Sequence, residues 1–125
     1  MKKFDFYKTV VFDFDGVIHS YASGWHEKQS VCDIYDPPTE GIREVIKKLR
    51  ETGWSVVIIS ARCKSFFGRR AIRKWCEKYD IEFDAVLRDK IPARCYVDDR
   101  AVCFKGDSST LYNDINYFHS WVDDE

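Results

Sequence analysis

Two carboxylates stand where an apolar run ends. In TVVFDFDGVIHS (9–20), Val10, Val11, Phe12 and Phe14 look like a buried strand, yet Asp13 and Asp15 interrupt it and Gly16 follows. Burial disfavours a charged carboxylate, so acids at the tip of a core strand need a reason. Two other segments end in similar polar groups. WSVVIIS (54–60) ends at Ser60, followed by Ala61 and Arg62, and RCYVDD (94–99) ends at Asp98 and Asp99. If these runs are neighbouring parallel strands, their acids converge at one edge of a sheet. Three or four carboxylates crowded there repel one another unless a cation joins them. Only oxygen ligands are on offer, which suits a hard ion such as Mg²⁺. A carboxylate touching that ion can attack an electrophile the ion polarises. A second carboxylate two residues away can hand a proton to the leaving group, and a hydroxyl and a cation on neighbouring loops can hold the remaining oxygens. These are the parts that phosphoryl transfer needs.

The elements that must position these groups follow from periodicity. Residues 8–13, 54–60, 83–87 and 94–99 read as strands, and AVCF (101–104) as a fifth. Residues 16–38 look irregular. Thr39 is a plausible cap for a helix carrying Ile42, Val45, Ile46 and Leu49 on one face, and Gly53 stops it. A second helix over 66–79 directs Phe67, Ala71, Ile72, Trp75 and Tyr79 to the core. A last helix bears Leu111, Ile115, Phe118 and Val122 in one stripe, its aromatics packed inward, and residues 123–125 read as a frayed acidic end. Continuously apolar strands alternating with helices predict an α/β fold of three layers, with a mainly parallel, Rossmann-type sheet covered on both faces. Sites in such sheets lie beyond the carboxyl ends of the strands.

Composition bounds the rest. The chain has 125 residues, enough for a single domain and one core. Its 20 basic and 21 acidic residues argue against broad capture of nucleic acid or an anionic membrane, leaving room for a local basic patch. Cys32, Cys63, Cys76, Cys95 and Cys103 form no C-x-x-C pair. Their odd number and scatter suggest free thiols in a reducing, cytoplasmic setting, with Cys95 and Cys103 buried in strands. No apolar run has the length of a membrane span, and MKKFDFYK carries no signal-like apolar segment.

DFDGV, IISAR and YVDD, in that order and strand context, resemble the motifs of the haloacid dehalogenase superfamily, and of its aspartate-nucleophile phosphatases in particular. The resemblance covers residue 9 to about residue 104. It implies Asp13 as a nucleophile that forms an aspartyl-phosphate and Asp15 as general acid, then base, with its carbonyl also on Mg²⁺. It implies Ser60, with Ala61 and Arg62, as phosphate ligands, and Asp98 and Asp99 as metal ligands. Asp15 itself disfavours the dehalogenase branch, which does not need a general acid there. The superfamily's charge-neutralising cation is assigned to Lys90, although it stands only eight residues before Asp98. Arg62, Lys64 and Arg88 are alternatives for that role. DDRAV resembles short phage and bacterial members, so Arg100 can also serve local structure. No large cap is inserted: residues 17–38 make only a short flap. An open site suits a substrate with its own bulk, such as a nucleotide, a nucleic-acid end or a phosphoprotein, or a second subunit that covers it. His19, Tyr21, Trp25 and His26 in the flap can touch that substrate.

The expected function is therefore a Mg²⁺-dependent phosphohydrolase. The alternative is a non-catalytic phosphate-sensing or partner-binding module on the same scaffold. Receiver domains share its length and residue types, but place paired acids first and the phospho-accepting Asp on a middle strand, the reverse of the order here. Single loop residues carry bland readings too: Ser60 as a cap, Lys90 as a solvated charge, and Lys64, Arg69, Arg70, Arg73 and Lys74 as the wet face of a helix.

Overall fold

β1 (Thr9–Phe12), β2 (Ser55–Ile58), β3 (Ala85–Val86) and β4 (Cys95–Val97) form one parallel sheet in the order β3-β2-β1-β4 in the computed structural model, which describes residues 3–24 and 26–123. β1 is central because all four of its residues are apolar or able to bury their polar atom. Thr9 satisfies its hydroxyl on the Asp5 carbonyl. Val10, Phe12, Val56 and Ile58 share one cluster with Ile46 of α1 (Ile42–Glu51) and Ile72, Trp75 and Cys76 of α2 (Phe66–Lys78). Side chains alternate across a strand, so Thr9, Val11 and Val57 point the other way, and they too are buried. The parallel α/β fold is thus as expected from the apolar strands, and the centre of the sheet is covered on both faces.

Both long helices pack on the same side for a topological reason. β1 to β2 and β2 to β3 step in one direction, and right-handed crossovers then deliver α1 and α2 to one face. The return from β3 to β4 crosses to the opposite edge through residues 87–94, too few for the usual crossover helix.

Several expected elements differ. α1 starts at Ile42 after Gly41, not at Thr39, whose carbonyl only accepts the Ile42 N–H. Gly53 does end that helix, at φ +94°. Val45 and Phe67 face solvent instead of the core. Residues 101–104 form no strand, because β4 pairs only with β1 and nothing extends the sheet beyond it. The last helix shrinks to α3 (Leu111–Asn116), which buries no residue; Ile115, Tyr112, Tyr117 and Trp121 are all exposed. Cys95 and Cys103 are exposed as well, whereas Cys63 and Cys76 are buried. Asp123 is tied to Arg100 and to the Ser120 N–H, so it belongs to the fold. No helix among the described residues is long and apolar enough to cross a membrane.

Candidate functional site

The sheet ladder continues past the strands and aligns their tips. The Asp13 N–H donates to the Val97 carbonyl at 2.9 Å, one residue before Asp98, and the Ile59 N–H donates to the Phe12 carbonyl at 3.1 Å, one residue before Ser60. This register brings Asp13, Asp98 and Asp99 together, with one carboxylate oxygen of each within 4.8 Å of the others. Burial first, and then the charges of Asp98, Asp99 and Asp15, push the Asp13 carboxyl up to about 7. Asp98 Oδ1 accepts the Arg100 N–H at 2.8 Å, and Asp99 Oδ2 accepts the Ser120 hydroxyl at 2.8 Å. Among the described residues, Asp99 Oδ1 is buried without a hydrogen-bond partner.

Gly16 makes this crowding possible. At φ +83° it closes a tight turn in which the Phe14 carbonyl accepts three successive N–H groups, those of Val17, Ile18 and His19. A Cβ at this position would lie 2.4 Å from Asp99 Oδ2. The turn also sends Asp15 away from the other acids. Its Oδ1 meets His19 Nδ1 at 2.8 Å, and its Oδ2 accepts Arg62 Nε at 2.8 Å. Because His19 Nε2 accepts the Asp36 N–H at 3.0 Å, the ring proton sits on Nδ1 and is donated to Asp15. Burial would raise the Asp15 carboxyl, but the hydrogen bonds from His19 and Arg62 and the Arg62 charge outweigh it and hold the group below the ordinary carboxylate value. Both oxygens of Asp15 accept a hydrogen bond, which favours its charged form.

Two clefts meet at Asp13 and Ala61. One, of about 420 Å³, is lined by Asp13, Asp15, Tyr21, Asp99, Arg100 and Val122 among others. The second, of about 370 Å³, is lined by Asp13, Ser60, Lys64, Arg88, Lys90 and Asp98 with Tyr96. Lys90 stands over the Tyr96 ring, its Nζ 5.1 Å from the centroid. Lys90 and its alternatives Lys64 and Arg88 therefore border the same space as Asp13. Ser60 lies there too, while its Oγ accepts the Arg62 N–H at 3.0 Å, so the cap and the cleft-facing positions coincide in one residue.

Arg62 corrects an expectation. Read as a phosphate ligand, it is buried at 4% exposure, with Nε on Asp15 and Nη1 on the carbonyls of Val31 and Asp33 at 2.9 and 2.8 Å, and Nη2 buried without a partner among the described residues. It fastens the flap to the Asp15 turn. His19, read as a substrate contact, is likewise buried, stacked on Phe14 and edge to face with Trp75. Tyr21 does line a cleft, and His26 packs on Tyr35 at 4.0 Å. Trp25 lies outside the described residues. Ser120 and Trp121 were not foreseen: the indole N–H of Trp121 donates to the Gly16 carbonyl at 2.7 Å. No spacing rule links these residues to their strand-tip partners, 21 positions away for Ser120 and 105 for Trp121.

No protein-family profile matches the chain, and no curated protein matches it significantly. Its fold is similar to the crystal structure of an MCSG target from Vibrio cholerae, at a TM-score of 0.51 and 20% identity over 76% of this chain and 82% of that one. At that identity the likeness concerns the fold alone: a small parallel α/β sheet with helices.

Proposed function

We propose that the chain is a phosphohydrolase of the haloacid dehalogenase type, with Asp13 as the nucleophile. The observation that carries this reading is the position of Asp13: between two clefts, beside Asp98 and Asp99, with a carboxyl pushed to about 7 by burial and by those neighbours. Such crowding is costly unless a cation is shared. The residues fit a hard ion such as Mg²⁺: the donors are all oxygen, and Asp99 Oδ1 is buried with no other partner among the described residues. Asp13, Asp98 and Asp99 would hold the ion, which when bound neutralises the acids and polarises a phosphoryl oxygen.

The chain's own groups then divide the work. An Asp13 carboxylate oxygen forms a bond to phosphorus as the ester oxygen–phosphorus bond breaks, leaving an aspartyl-phosphate. Ser60 and Lys90, with Lys64 and Arg88 close by, balance the charge on the other phosphoryl oxygens from the second cleft. Asp15 is the acid beside the first cleft that can give the departing oxygen its proton and later take one from the attacking water. Both exchanges work against the hydrogen bonds from His19 and Arg62, which favour the charged form of Asp15.

The test is phosphate release from an aryl phosphate with Mg²⁺ and with chelator. Wild type is expected to turn over only with the ion, and Asp13→Asn to fall to background with its far-UV spectrum unchanged. Turnover retained by Asp13→Asn would sink the reading. A stable phosphoprotein formed from acyl phosphate without turnover would favour the phosphate-sensing alternative instead.

A further inference from the structure

Between Thr52 and Cys76 the chain carries six basic residues and no acidic one, although its formal net charge is −1. One of the six, Arg62, is buried against Asp15. The others begin at Lys64, which lines the cleft beside Asp13 and pairs with Asp89 at 3.7 Å, and continue along α2. α2 buries Gly68, Ile72, Trp75 and Cys76. At 100° per residue its opposite face presents Phe66, Phe67, Arg70, Arg73 and Lys74, with Glu77 at the far end. Phe66 and Phe67 are 58% and 62% exposed and packed edge to face on each other, two and three residues on from Lys64. An exposed aromatic pair has no folding reason to open a helix whose core contacts are on the other side. Aromatic faces next to exposed cations are what stacked bases and their phosphates require.

We propose that the substrate of the Asp13 site is the phosphorylated end of a single-stranded nucleic acid, whose bases stack on Phe66 and Phe67 and whose backbone follows Arg70, Arg73 and Lys74. The proposal rests on the phosphohydrolase reading and names its substrate. Lys64, Arg88 and Lys90 join the two features, because they carry the positive surface into the cleft where the terminal phosphate would lie. The same stretch argues against a phosphopeptide: a peptide offers one dianion to the cleft but no repeating charge for the helix and no base for the aromatic pair.

The test compares binding and turnover. Anisotropy with short single-stranded oligonucleotides, phosphorylated at the 3′ or the 5′ end, is measured on the Asp13→Asn chain. Affinity is expected to fall steeply with salt, with a slope of about −0.7 per phosphate contacted. The triple variant Arg70→Glu/Arg73→Glu/Lys74→Glu should weaken binding at least about tenfold, as should Phe66→Ala/Phe67→Ala. Lys47→Glu/Lys48→Glu on the exposed side of α1 should leave it unchanged. Circular dichroism checks that each variant folds, and the salt slope of the unmutated face needs no variant at all. A flat salt dependence, equal binding by the charge-reversed chain, or tighter binding of a matched phosphopeptide overturns the proposal. Aryl phosphate turnover by wild type separates the two claims: its absence defeats the phosphohydrolase reading, whereas its presence with no preference for oligonucleotide ends defeats only this one.

Discussion

Residues 9–86 and residues 95–123 are held together by different forces. In the first region, β1 and β2 lie beneath α1 and α2, and Val56, Ile58, Ile46 and Ile72 are sealed from solvent. In the second, every residue of β4 is exposed and α3 buries none. What fastens the second region is a set of polar ties: Asp13 N–H to Val97, Ser120 to Asp99, Trp121 to Gly16 and Arg100 to Asp123. The candidate site straddles the boundary. Apolar burial fixes Asp13, while polar ties bring Asp98 and Asp99 to it. Hydrophobic stabilisation scales with the area withdrawn from water, and single hydrogen bonds contribute about 1 kcal/mol net. The fold and the acid cluster should therefore be separable by mutation.

The widest gap is expected between two isoleucines. Ile58, fully buried, should cost about 2–5 kcal/mol as Ile58→Ala, through lost transfer energy and the cavity left behind. Ile115 is 61% exposed, and Ile115→Ala should stay within about 0.5 kcal/mol. Urea midpoints at constant slope measure both. Equal losses would mean that the C-terminal region shares the core, and the contrast drawn above would be wrong.

Gly16→Ala should strike the junction. The left-handed φ costs about 1–2 kcal/mol for a residue with a Cβ, and that Cβ cannot coexist with Asp99 Oδ2 at 2.4 Å. Asp99 must move out of the cluster, so titration calorimetry should show divalent-ion affinity falling more than stability does. A variant that keeps full ion affinity would show that Asp99 is not needed there.

Proton linkage sharpens the same contrast, because Asp13 and Asp15 carry opposite signs. Asp13 is raised from 3.8 to about 7 by burial and then by Asp98, Asp99 and Asp15. The folded state thus prefers it protonated: its contribution is full below pH 4 and is lost as pH rises through about 7. Asp15 is lowered, so its contribution is present above pH 4 and is lost as pH falls through its folded value. With chelator present, melting temperature should decline between pH 4 and 7, and Asp13→Asn should flatten that decline. Magnesium should flatten it too, with proton uptake by the buffer on binding near pH 7. A decline that Asp13→Asn leaves untouched would move the cost of crowding to another group.

Much of this was legible in the sequence, and the reason is the same burial. Continuous apolar runs ending in Asp13 and Ser60 announce parallel strands and the edge where their tips meet, since a strand covered on both faces lacks alternation, whereas β4, which ends at Asp98, is apolar in type but exposed along its length. The failures share a cause as well. The stripe of Leu111, Ile115 and Phe118 has helical spacing, but spacing does not say whether a partner surface exists, and here Ile115 is exposed while Leu111 and Phe118 are only partly covered. Arg62 sits beside Ser60 in a motif that suggests phosphate, yet its side chain is taken by Asp15 and by two flap carbonyls contributed from 29 and 31 residues away. Neither fact is written in local periodicity.

The smallest expected effect tests whether a polar tie serves the fold or the cluster. Ser120 is buried at 3% exposure, and its hydroxyl is the donor to Asp99 Oδ2. Asp99 Oδ1 already lacks a partner among the described residues. Ser120→Ala would leave both oxygens without a protein donor, at a cost of about 1 kcal/mol in chelator. A shared cation would replace the lost donor, because an ion that binds only the folded state stabilises it by mass action. The variant should therefore gain more from magnesium than wild type does, and the two melting temperatures should converge as the ion is added. Parallel curves with a constant offset would mean that Ser120 only braces the C-terminal loop, and that Asp99 meets no cation.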